Sequence, residues 1–282
     1  MMITNHRTIR IRKANGEEED FDPQKLFRSL KNSGTSDEIA IKVTEEITRW
    51  VYNGATTEKI FRRAFQRMQK LETISAARYR LKDAFFEMGP TGHPFEIFCG
   101  LIFKKLGFQV QVAVVVDGCC IQHEMDVIAT KDREQWLCEC KYTQDKGKNI
   151  GIQVPLYVKS RVEDIVFHRK KKEEYQSFQF RTCVITNNRF SFDSIDYAKC
   201  VGLQLIAWDY PKGMSLKELV EQFRLFPITT ITSLSSDQKQ KLLNSGVVAC
   251  SQILENREIL ETIGLSKRQI KKIIAEATTL CE

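Results

Sequence analysis

Asp126, Glu139 and Lys141 are the side chains whose types and order suit metal-assisted hydrolysis of a phosphodiester. Asp126 lies in His123-Glu124-Met125-Asp126-Val127-Ile128, and Glu139-Cys140-Lys141 follows on an apolar run. Alternate residues of a strand share a face, so Glu139 and Lys141 point together and Cys140 points back. A neighbouring strand would bring Asp126 to the same place. Such hydrolysis needs a hard cation to polarise the phosphate and acidify an attacking water. Mg²⁺, or Mn²⁺ in its stead, takes oxygen ligands and keeps several waters, so the two carboxylates of Asp126 and Glu139 suffice as metal ligands. Lys141 would orient the water or stabilise charge on the phosphoryl oxygens.

With these residues in hand, the stretch 93–226 resembles the restriction-endonuclease-like, Mrr-type branch of the PD-(D/E)xK nucleases. Phe95-Glu96 matches that family's helix Glu, which supports a water at the metal, and Gly107-Phe108 matches its Leu-Gly-aromatic turn. Gln153-x-x-x-Tyr157 is similar to the Gln-x-x-x-Tyr motif of RecB-like members, where the Gln orients the active-site Lys and substrate. Thr186-Asn187-Asn188-Arg189-Phe190, Tyr197-Ala198 and Gly202-Leu203 resemble the late strand-helix-strand block. The resemblance implies a catalytic set of Glu96, Asp126, Glu139, Lys141 and Gln153 acting on DNA. One departure stands out: the family's Gly-x-Asp turn is replaced by His-Glu-Met-Asp, which keeps the metal ligand and alters the substrate loop.

The elements that must position these residues follow from periodicity and punctuation. Gly89-Pro90-Thr91-Gly92 is a breaker cluster. A helix over 94–106 ends at Gly107, and strands are expected over 108–116, 124–130 and 135–141. A helix carrying Val154, Leu156, Val158 and Val162 comes next, then a strand over 181–186, a helix over 191–200, a strand over 203–208 and a helix over 216–226. Strands alternating with helices argue for an α/β core with a mixed sheet. His123 reads as structural or substrate-facing rather than as a metal ligand. The run Arg169-Lys170-Lys171-Lys172 is a candidate DNA contact.

Ahead of this core, a β-like stretch at 8–12 meets an Asn15-Gly16 turn. Asp22-Pro23 supplies an N-cap and a proline at the first helical position. Two more amphipathic helices span 39–50 and 57–71, the second capped by Thr57. The motifs Ile11-Arg12-Lys13-Ala14-Asn15-Gly16, Phe21-Asp22-Pro23-Gln24-Lys25-Leu26 and Thr57-Glu58-Lys59-Ile60 resemble an ATP-cone, the nucleotide-sensing module of ribonucleotide reductases. The resemblance implies binding of ATP or dATP by Lys13, Asn15, Asp22, Lys25 and Thr57, with Lys13 and Lys25 on phosphates and the helix start favouring anions. Ala14 and Phe61 stand where a basic residue and a His occur in the family. No Walker loop is present, so this would be a sensor and not a hydrolysis site. Behind the core, helical segments are expected over 237–244, 247–254 and 267–280. Ile263-Gly264-Leu265, followed by Ser266-Lys267-Arg268, resembles the turn of a helix-hairpin-helix, whose backbone amides grip DNA phosphates.

Composition limits the alternatives. Hydrophobic residues make up 42% and charged residues 28% of 282 residues, as in an ordinary globular chain of two or three domains. The net charge of +7 suits a polyanionic partner. No apolar run approaches the roughly 18–20 residues of a membrane span, and no signal peptide is visible. Nine cysteines fit no zinc template, which points to reduced thiols and a cytoplasmic setting. The expected organisation is an ATP-cone at 1–88, a nuclease domain at 93–226 and a small all-α domain at 228–282, a homo-oligomer being left open. The reading is a Mg²⁺-dependent DNA endonuclease regulated by ATP or dATP. The alternative is a nucleotide-responsive DNA-binding regulator on a silent nuclease fold.

Overall fold

Capping chemistry sets out the N-terminal helices. The Asp22 carboxylate accepts from the Gln24 amide at 2.8 Å and Pro23 opens α1 (Pro23–Asn32). Ser36 caps α2 (Asp37–Trp50) and Thr56 caps α3 (Thr57–Leu71), its hydroxyl accepting from the Lys59 amide at 3.2 Å. Thr57 is therefore the first residue inside the helix and not its cap. Thr56 has the extended backbone (φ −83°, ψ 148°) that turns a side chain back onto the third amide. α4 (Thr73–Tyr79) completes the set. β1 (Arg10–Arg12) pairs antiparallel with β2 (Glu18–Asp20). The latter falls in the acidic run, where no apolar alternation announces a strand. This computed structural model describes residues 9–13 and 16–282, with backbone alone at 73 and 74, so Asn15 lies outside the described residues. Chain contacts gather Met1–Leu81 into one unit and Lys82–Glu282 into a second. The core of the first is Ile11, Leu26, Leu30, Val43, Ile47 and Met68 with their neighbours.

The second unit is a mixed α/β structure. After α5 (Leu81–Phe86) and α6 (His93–Lys105) come β3 (Gln109–Asp117), β4 (Gln122–Lys131) and β5 (Glu134–Lys141), an antiparallel meander. The two-residue β6 (Asn149–Ile150) and α7 (Gln153–Lys170) cross to β7 (Gln179–Thr186), parallel to β5. The short β8 (Arg189–Phe190) and α8 (Phe192–Val201) lead to β9 (Gln204–Ile206), parallel to β7. The sheet order is β3-β4-β5-β7-β9, and β6 and β8 pair separately. A turn–helix connection is what parallel neighbours require, and α7 and α8 supply it.

α6 lies on the meander, where Gly100 permits close approach: a Cβ there would meet Val112 Cγ2 at 2.9 Å. α7 and α8 pack Val158, Val162, Ile165 and Ala198 against Leu137, Val184 and Leu205 of the sheet. The strand expected over 203–208 is only three residues long. The helix expected over 216–226 is α9 (Leu216–Gln222), ended by the left-handed Arg224 (φ 51°). The remaining helices are α10 (Ser236–Asn244), α11 (Cys250–Glu255), α12 (Ile259–Thr262) and α13 (Lys267–Cys281). α11 starts later than expected because 247–249 is extended, with Ala249 bridged to Pro227. Among the described residues no helix is long and apolar enough to cross a membrane.

Candidate active site

The β4–β5 ladder stops at Val127↔Cys138, so the backbones part where Asp126 faces Glu139. The Asp126 carboxylate fills the gap: Oδ2 accepts from the Cys140 amide at 2.6 Å. On the other side, the β3–β4 register skips from Val112↔Val127 to Val114↔Met125. The skipped residue opposite Asp126 is Ala113, in the left-handed region at φ 52°. Asp126 thus sits at an irregularity in a continuous sheet, where its side chain and not its backbone joins the neighbouring strand. Burial pushes its carboxyl up to about 7, with the Glu139 charge adding to the effect and Glu96 contributing further.

Strand alternation sorts the side chains of β5. Cys138 and Cys140 turn toward buried Cys99 of α6 and Cys183 of β7, and burial pushes the Cys138 and Cys140 thiols well up. Glu139 and Lys141 turn toward α7. Glu139 is 3% exposed, and a charge so buried must be paired and hydrogen-bonded. Its Oε1 meets Lys141 Nζ at 2.6 Å and accepts from the Tyr157 hydroxyl at 2.9 Å. Its Oε2 accepts from Arg161 Nη1 at 2.6 Å. Arg161 also reaches the Glu124 carbonyl at 3.2 Å and stacks on the Tyr157 ring at 5.2 Å. Burial works to lower Lys141, but the Glu139 ion pair and Tyr157 outweigh it and hold its ammonium above the ordinary range. Lys141 is therefore a fixed cation at neutral pH.

Glu96 lies in the first turn of α6, 3.2 Å from His93 Nδ1, near enough for its charge to act on Asp126. Gln153 opens α7, one turn before Tyr157. Its amide oxygen is folded over Gly151, where a Cβ would lie only 2.6 Å away. The contacts that α7 makes with Glu139 come from Tyr157 and Arg161 instead. Tyr157 was legible as part of the Gln-x-x-x-Tyr spacing. Arg161, four residues further on the same helical face, was not singled out, although the i, i+4 spacing was the signal for it. His123 belongs to a structural cluster: its Nε2 lies 2.8 Å from Asp164 Oδ2.

Thr186, Asn187 and Asn188, singled out in sequence without a role, secure the loop after Lys141. Thr186 donates to the Lys141 carbonyl at 2.7 Å. The Asn187 amide bonds the backbone of Thr143 in both directions, at 3.0 and 2.8 Å. Asn188 donates to the carbonyls of Asp145 and Lys148 at 2.9 and 2.6 Å. All three are buried, so each amide or hydroxyl needs these partners.

In the first unit, Lys13 and Lys25 both close on Glu19 Oε2, at 3.3 and 3.1 Å. Asp22 is engaged as the cap of α1, and Thr57 stands at the start of α3. In the second unit, Gly264 (φ 79°) forms the turn between α12 and α13, with Ser266 capping α13 and Leu265 buried. Among the described residues no group of three or more His, Cys, Asp and Glu side chains has the spacing of a complete metal shell. Any cation here would complete its shell from solvent or substrate, as Mg²⁺ does.

Comparison with known proteins places the chain among relatives. Residues 226–281 match the family described as AF1548-like, C-terminal. An uncharacterized protein of Archaeoglobus fulgidus is 30% identical over 177 residues, covering 62% of this chain and 95% of that protein. The crystal structure of the protein of unknown function AF1548 superposes with a TM-score of 0.56 at 29% identity, over 68% of this chain and 98% of that one. The restriction endonuclease MspJI in complex with a 27-mer oligonucleotide gives a TM-score of 0.33 at 13% identity, over 61% of this chain and 36% of that one. With that identity over nearly the whole length of the Archaeoglobus protein, the chain belongs to the AF1548-like family.

Proposed function

We propose that this chain is a divalent-cation-dependent endodeoxyribonuclease whose active site is Asp126, Glu139 and Lys141. The observation that carries the reading is the parting of β4 and β5, which sets two carboxylates and a paired lysine at one point beside α7. Asp126 and Glu139 would hold Mg²⁺ or Mn²⁺. Their oxygens are hard donors, and burial, with the Glu139 charge second, raises the Asp126 carboxyl, whose ionised form a divalent ion would favour. When bound, the ion supplies Lewis-acid polarisation of the phosphodiester and lowers the pKa of an attacking water. Lys141, held protonated, donates toward the phosphoryl oxygens as charge builds there. Glu96 accepts a proton from or orients the incoming water, and Gln153 positions substrate at the mouth of α7.

DNA is the proposed substrate. The chain carries +7 overall, and Lys267 and Arg268 flank the Gly264 turn, where backbone amides suit phosphates. ATP or dATP is the proposed ligand of the first unit. Lys13 and Lys25 already converge on one carboxylate, Glu19, and a nucleotide phosphate would take its place. The test is nicking of supercoiled plasmid with Mg²⁺ or Mn²⁺ by the wild type, Asp126→Ala and Lys141→Ala, with and without ATP. Metal-dependent cleavage lost in both variants supports the assignment, and a change in rate with ATP supports the sensor.

One observation favours a second reading. Both oxygens of Glu139 are taken by protein cations, which suits a nucleotide-responsive DNA-binding regulator on a silent scaffold. DNA binding that is indifferent to metal, with no cleavage, would select it.

A further inference from the structure

Glu139 carries an arrangement that the catalytic reading does not use. Oε1 is served by Lys141 and Tyr157, whereas Oε2 is served by Arg161 at 2.6 Å. A buried carboxylate is stabilised by charged donors on both oxygens, and a divalent ion on Oε2 would compete with Arg161 for it. We propose that Arg161 and a divalent ion compete for Glu139, so that metal loading exchanges the guanidinium for the ion. The inference rests on the reading of Asp126 and Glu139 as the metal pair.

Three features make Arg161 the group that leaves. Lys141 shares the strand and face of Glu139 and is needed there for catalysis. Tyr157 is neutral, so its departure would release no charge. Arg161 has other places to rest: its Nη1 already bonds the Glu124 carbonyl at 3.2 Å, its guanidinium stacks on Tyr157, and its side chain is 28% exposed. Charge points the same way: exchanging a guanidinium for a divalent ion on Glu139 adds one positive charge beside the Asp126 carboxyl.

Mn²⁺ binding tests this, followed by the loss of the free-ion electron paramagnetic resonance signal on full-length protein. Arg161→Met, which removes the competitor and keeps most of the side-chain bulk, is expected to bind Mn²⁺ at least about tenfold tighter than wild type, the factor a charge-assisted hydrogen bond carries. Arg161→Lys, which keeps the charge but loses the planar fork, is expected to fall between the two and carries the test if the methionine variant does not fold. Asp126→Asn should abolish binding in either background. A folded Arg161 variant with unchanged or weaker Mn²⁺ affinity, in a protein whose binding still needs Asp126, overturns the exchange alone. No Mn²⁺ binding by wild type or variant overturns the exchange together with the metal reading.

Discussion

At Asp126, burial and the neighbouring Glu139 favour the protonated carboxyl, with a folded pKa near 7 against the usual 3.8. A group raised in the folded state supports stability below its unfolded pKa and loses that support as pH rises through its folded pKa. The metal-free protein should therefore lose stability between about pH 4 and 7, a shift of this size being worth at most about 4 kcal/mol. Asp126→Asn keeps the acceptor for the Cys140 amide and removes the titration, so in EDTA it should melt higher than wild type at pH 8 and close to it at pH 4. Equal melting temperatures at pH 8 would contradict the assignment. The backbone opposite Asp126 gives a second test. A left-handed alanine costs roughly 1–2 kcal/mol, and glycine in a strand costs about 0.5–1 kcal/mol. Ala113→Gly should therefore gain about 0.5 kcal/mol or more in urea unfolding, where a regular strand position would lose. The types and order of Asp126, Glu139 and Lys141 were legible because strand alternation fixes which side chains share a face. Arg161 was legible only as the residue four after Tyr157, because nothing in a linear sequence says that a helix of 18 residues crosses back over β5.

At the scale of elements, α7 is what ties the site together. Its face bearing Tyr157 and Arg161 meets Glu139, and one turn on, Asp164 clamps the β3–β4 hairpin. The Asp164 carboxylate accepts from the Cys120 amide at 2.9 Å and meets His123 Nε2 at 2.8 Å. Gly118 makes room for the clamp: a Cβ there would lie 2.1 Å from Asp164 Oδ2 and 2.6 Å from the Ile121 carbonyl. Gly118→Ala should cost about 2 kcal/mol in urea unfolding, as overpacking does, and should slow cleavage by displacing α7. A variant as stable and active as wild type would show that the clamp does not position the helix. Strong local chemistry made most elements legible, including the Asp22-Pro23 start of α1 and the α3 span. Thr57 reads as the cap of α3, and the backbone conformation gives that role to its neighbour Thr56. β2, β6 and β8 are two or three residues long, too short to carry a period.

At the scale of the whole molecule, the first unit and the second are separately packed bodies, and each has its own expected ligand. If the C-terminal helices grip phosphates, the double variant Lys267→Ala/Arg268→Ala should lower the slope of log affinity against log salt by about 2 for plasmid DNA, one for each phosphate no longer neutralised. An unchanged slope would remove those residues from the DNA interface. Net charge suggests a polyanion from composition alone, whereas the candidate phosphate contact at Gly264 is marked in the sequence only by a common tripeptide. The claim on which the rest depends is that Lys141 acts in catalysis and is not merely a partner for Glu139. Lys141→Met tests it most directly, because Arg161 and Tyr157 remain to satisfy the buried carboxylate. The single-turnover rate of plasmid cleavage in Mg²⁺ should fall at least about 100-fold, with melting temperature and Mn²⁺ binding retained. A rate within a few-fold of wild type would contradict the account.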